Sequence, residues 1–144
     1  MSSDSAARPV FLADPSGDPV VVRIDGRACF QNCPCLRDFF TAMRQQGRVR
    51  FVLDFQACGS MDSTFLGVLA GLAIELRKLQ PAGSIVLARV GPRNLELIRN
   101  LGLHRLLVVD AGELAPNTEH CDTRLPFANR SELESARLVL EAHE

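Results

Sequence analysis

Apolar residues along this chain follow two periods, and the elements change where the period changes. Residues 9–13 and 19–24 are short apolar runs rich in β-branched side chains, separated by Asp14-Pro15-Ser16-Gly17-Asp18. Those five residues are turn formers, so the two runs read as a hairpin that Gly26 ends. Asn32 is then placed to cap a helix with Pro34 in its first turn. Leu36, Phe39, Phe40 and Met43 recur at helical spacing until Gly47 closes that helix. Residues 48–55 alternate at first and then turn almost wholly apolar, as in a central parallel strand covered on both faces. Ala57-Cys58-Gly59-Ser60 carries the break. Asp62 and Ser63 offer N-cap chemistry to a long helix bearing Phe65, Leu66, Val68, Leu69, Leu72, Ile74 and Leu76. Gly67 and Gly71 fall one turn apart on it. Each costs up to about 1 kcal/mol of helix propensity against Ala, which predicts close packing on the sheet.

A strand over 84–90 follows, and Gly91-Pro92-Arg93-Asn94 opens a helix carrying Leu95, Ile98 and Leu101. Gly102 fits the left-handed position beyond its end, with Leu103 as the following apolar contact. Residues 106–109 form the last strand. Residues 111–130 read as a long irregular loop. Ser131 with Glu134 forms a capping box for a helix over 131–144, striped by Leu133, Ala136, Val139, Leu140 and His143. Strands that each follow a helix call for right-handed parallel crossovers. The expected fold class is therefore α/β. It is a mixed central sheet of about five strands, an N-terminal hairpin plus parallel βαβ units, covered by four helices in a single domain over 1–144 with a flexible tail at 1–8.

Composition narrows the chemistry more than the fold. With 144 residues, 47% hydrophobic and 23% charged, the chain is an ordinary globular domain, and its net charge of −1 gives no footprint for nucleic acid or an anionic membrane. The longest uncharged apolar run, 65–74, is about half of what a bilayer requires, and the N-terminus lacks a secretory pattern. Five cysteines, an odd number, with no export signal point to reduced thiols in a cytoplasm. His104, His120 and His143 fall in no catalytic spacing, and no P-loop, Gly-x-Ser-x-Gly or dinucleotide fingerprint occurs. Cys29, Cys33 and Cys35, with His120-Cys121 downstream, invite a zinc or redox reading. They lack the C-x2-C knuckle, so buried or capping thiols are the better account. No enzyme activity, metal or cofactor is expected. On spacing alone, Asp62-Ser63 is a helix cap.

Resemblance adds to that reading. VLDFQACGSMDSTFLGVLAGL resembles the signature of the STAS domain of bacterial anti-sigma-factor antagonists, through Leu53-Asp54, Asp62-Ser63 and Leu66-Gly67. The pattern continues over roughly residues 19–110. The resemblance implies a non-enzymatic, cytoplasmic regulator that binds an anti-sigma factor of the serine-kinase ATPase type. Ser63 would be the phosphoacceptor, and a serine phosphatase would reverse the modification. Asp62 would orient the hydroxyl or meet the kinase, and Thr64 is a second hydroxyl. Met61, Asp54, Cys29 and Asn32 would be neighbours in the partner-binding surface. One departure stands out: where many members carry an acidic residue after strand two, this chain has Cys29. That favours the alternative, a scaffold or interaction module of the same fold that is never phosphorylated.

Overall fold

The computed structural model describes residues 11–31, 33–110, 112, 116–121 and 123–125. In chain order the elements are β1 (Phe11–Asp14), β2 (Val20–Ile24), β3 (Gly26–Ala28), α1 (Cys33–Gln45), β4 (Arg50–Asp54), β5 (Cys58–Met61) and α2 (Ser63–Arg77). They are followed by β6 (Ser84–Ala88), α3 (Pro92–Asn100), a 3-10 turn (Leu103–Arg105), β7 (Val108–Val109) and β8 (Thr123–Arg124). Six strands form one sheet in the order β7-β6-β4-β2-β1-β8, and β3 and β5 form a second, two-stranded one. β2, β4, β6 and β7 run parallel, whereas β1 is antiparallel to both of its neighbours.

Period-two alternation sets which side chains meet the helices. Phe11 and Ala13 of β1, Val20, Val22 and Ile24 of β2, Phe51 and Leu53 of β4, and Ile85 and Leu87 of β6 are all buried in one core. Leu36, Phe40 and Met43 of α1 and Phe65, Leu66, Leu69 and Leu76 of α2 belong to the same core. The rings of Phe40 and Phe51 stack with centroids 4.0 Å apart, locking α1 onto the central strand. Gly83 is required by close approach, since a Cβ there would lie 2.4 Å from the Val49 carbonyl oxygen.

Several expectations need correction. Gly26 does not end the hairpin's second strand; at φ +84° it begins β3, and Cys58–Met61 is a strand rather than a bare turn. These two short, Gly-containing segments pair because β2 and β4 lie side by side and both chains run out of the sheet together. The main sheet has six strands, because Thr123–Arg124, inside the expected loop, adds to β1. Three α-helices are present among the described residues; the helix expected over 131–144, the tail at 1–8 and the Asn32 cap lie outside them. Gly67 and Gly71 do not pack on the sheet: both are exposed, and a Cβ on either meets nothing within 4 Å. They line an open groove between α1 and α2 with Arg37, Thr41, Thr64, Val68, Leu72 and Glu75.

Candidate functional site

The chemistry-bearing residues converge where α2 begins. Asp62 has extended backbone and caps the helix, its Oδ1 accepting from the Phe65 N–H at 2.8 Å. Its other oxygen, Oδ2, accepts from the Phe30 N–H at 3.0 Å, in the connection between β3 and α1. The Asp62 N–H in turn donates to the Ala28 carbonyl at 3.1 Å. One aspartate therefore ties the start of α2 to the segment that leads into α1. Both of its carboxylate oxygens are engaged by backbone donors.

Ser63 is the first residue of α2 and is exposed, as is Thr64 after it. First-turn N–H groups and the positive end of the helix dipole make this a place where added negative charge is tolerated. The other expected neighbours are less available. Asp54 is 2% exposed, and its carboxylate accepts from Arg89 Nε at 2.9 Å and from the Gln56 N–H at 3.1 Å. Arg89 holds that pair from a left-handed conformation, φ 54°, and the contact raises its own pKa. Asp54 is thus tied to Arg89 at the end of β4. Met61 and Cys29 are buried too. Asn32 is outside the described residues.

The cysteines behave as core side chains. All five are buried and outside any disulfide. Burial pushes the Cys33 thiol up to about 11, with the Asp62 charge adding to it, and the Cys35 thiol up to about 12. Burial also raises Cys58 and Cys121. Cys33 Sγ donates to the Cys29 carbonyl at 3.4 Å and Cys58 Sγ to the Ser60 carbonyl at 3.3 Å. Among the described residues, no group of three or more His, Cys, Asp or Glu is placed to hold a metal ion, and no helix is long and apolar enough to cross a membrane.

Two features of the surroundings had no signal in the periodicity. Phe30 is 60% exposed although it is an aromatic residue beside the core. Arg93 of α3 lines a hollow with Ser60, Met61 and Asn94, and Asn94 is anchored by donation from Nδ2 to the Cys58 carbonyl at 3.2 Å.

Residues 11–109 match the family model described as Mlab, STAS domain. No curated protein matches the chain. Among solved structures, the chain is similar to the anti-sigma factor antagonist SpoIIAA in its unphosphorylated form. That match has 20% identity and a TM-score of 0.56, covering 88% of this chain and 97% of that one. The Bacillus cell fate determinant SpoIIAA in the phosphorylated form matches at 22% identity and a TM-score of 0.55, over 72% of this chain and 93% of that one. An anti-sigma factor antagonist from Mycobacterium paratuberculosis matches at 20% identity and a TM-score of 0.60, over 74% and 88%. These likenesses establish a shared fold.

Proposed function

Because this chain belongs to the STAS domain family, we propose that it is a regulatory binding protein of the anti-sigma-factor-antagonist type, switched by phosphorylation of Ser63. The observation that carries this reading is the exposure of Ser63 at the first position of a helix whose cap is already made by Asp62. A serine-kinase-type anti-sigma partner with bound ATP would dock over the start of α2. The Ser63 Oγ attacks the γ-phosphorus, the bond to the β-phosphate bridging oxygen breaks, ADP leaves, and the hydroxyl proton passes to a base on the partner. A serine phosphatase would return the site to its free state.

The phosphate adds about −1.5 to −2 charge. Within the domain it lies at a helix N-terminus and is tolerated; in a partner interface it must be desolvated, and a few kcal/mol there is roughly 100-fold in affinity. The test is to incubate the purified chain with Mg-ATP and the kinase-type ATPases encoded in its own genome. One phosphate should be incorporated, and Ser63→Ala should abolish it. Equal labelling of that variant would refute the assignment.

A second reading has an observation of its own. Cys29 is a buried thiol where the family resemblance places an acidic residue, and Asp62 has both oxygens engaged. An interaction module that is never phosphorylated fits that environment. Ser63→Asp discriminates, since it weakens partner binding only if charge at this position is the signal.

A further inference from the structure

The least explained side chain near the site is Phe30. The other phenylalanines of the described residues are buried or partly buried in the core, while Phe30 is 60% exposed. Its backbone is nevertheless held at its own N–H and through the two residues before it. The Phe30 N–H donates to Asp62 Oδ2, the preceding carbonyl accepts from Cys33 Sγ, and the Ala28 carbonyl accepts from the Asp62 N–H. An aromatic ring on an ordered stalk forfeits little entropy when it is captured, the condition under which a single side chain contributes most to association. The chain has no Trp or Tyr to serve instead.

Charge on the elements that flank the start of α2 identifies what could meet the ring. Arg27 stands on β3 opposite Ser60 of β5, Arg93 lines the hollow beside Ser60 and Met61, and Arg37 lines the α1–α2 groove beside Thr64; all three are exposed. Against them stand Glu96 in the Arg93 hollow, Glu75 in the α1–α2 groove, which Arg44 pairs, and Asp62, whose oxygens accept from backbone N–H groups. We propose that Phe30 is the apolar anchor of the surface by which a protein partner reaches the start of α2, the partner offering an apolar pocket with an acidic rim. The proposal rests on the reading of α2's N-terminus as a docking site and names the side chain that fixes the partner there. Asp62 is its positioning residue, so one carboxylate sets both the presentation of Ser63 and that of the ring.

The test uses the full chain in its own cells, with a photo-crosslinking amino acid replacing Gln31, Thr64 or, as a control farther along α2, Ile74. The same protein should be captured from positions 31 and 64 and not from 74. That protein, purified and titrated against the full chain, should bind Phe30→Ala roughly tenfold or more weakly, while Phe30→Leu retains most of the affinity. The ring is solvent-exposed, so both variants should melt with the wild type. Capture from 64 but not from 31, no capture from either, or affinity within about twofold for Phe30→Ala overturns the anchor. The captured protein's identity decides the other question separately: a serine-kinase-type ATPase supports phosphorylation of Ser63, and a partner without an ATP site removes it while leaving the anchor standing.

Discussion

Asp62→Asn separates two jobs that one side chain performs. Asn is as good an N-cap as Asp, and its single carbonyl oxygen can keep the bond to the Phe65 N–H that Oδ1 now accepts at 2.8 Å. The other carboxylate oxygen becomes an NH2 group facing the Phe30 N–H, a donor against a donor, so the 3.0 Å contact is lost. A charge-assisted hydrogen bond at an exposed site contributes about 1 kcal/mol. Removing a negative charge from a helix N-terminus costs a further 0.3–1 kcal/mol or about that. The expected loss is roughly 1–2 kcal/mol, or about 3–7 °C in Tm for a domain of this size. Amide hydrogen exchange locates it. The Phe30 amide should exchange about five- to thirtyfold faster while the Phe65 amide stays near its wild-type rate. Asp62→Ala should expose both amides and cost about 1 kcal/mol more. Equal loss of protection at Phe30 and Phe65 in Asp62→Asn would refute the division of labour, as would an unchanged Phe30.

Gly67→Ala and Gly71→Ala each point a methyl into open space on a helix, so each should stabilise the fold by about 0.5–1 kcal/mol in urea melts. A loss would mean that the groove between α1 and α2 is filled in solution. Arg89→Met strips the Asp54 carboxylate, 2% exposed, of its cation; about 3 kcal/mol should be lost, and adding Asp54→Asn should restore part of it. The thiols set an alkaline limit. Cys33 and Cys35 are raised from 9.0 to about 11 and about 12, so the folded state holds protons that the unfolded chain has released. Their contribution is whole below about pH 9 and is lost as pH rises towards 11–12. The chain has one lysine and no tyrosine, and Cys58 and Cys121, also raised by burial, act in the same sense. Denaturation under reducing conditions should show stability falling across that window, and less steeply in Cys35→Ala. At about pH 8 both thiols should resist alkylation until the protein unfolds.

The parts of this fold written in strong periodicity were legible from the residues. Arg50–Asp54 is the central strand because Phe51, Val52 and Leu53 are apolar in succession, and Ser63–Arg77 is a helix because an N-cap precedes an apolar stripe. What escaped was built from backbone pairing with weak local propensity. Gly26–Ala28 and Cys58–Met61 contain glycine and polar residues, and only their placement at the ends of adjacent strands makes them pair. Thr123–Arg124 joins β1 for the same reason, across a long sequence separation. The glycines misled in the opposite sense. Their helical cost points to close contact, yet they face solvent along the groove beside Arg37 and Thr64. At the site, Asp62 as a cap was readable from spacing, but its second bond to Phe30 joins residues 32 apart and has no local signature.

That second bond bears on how a charge at Ser63 could be felt. A phosphate at the first position of α2 would compete for the first-turn N–H groups and repel the neighbouring carboxylate, whose two oxygens hold Phe65 and Phe30. The Phe30 tether is the weaker of the two contacts by length and exposure, so it yields first. Modification would then act on a partner twice, through a desolvated negative charge at the interface and through a ring no longer held for capture. Both effects weaken binding without moving a strand or helix, because the buried core of β2, β4, β6 and α2 has no side chain in common with the Asp62 tether.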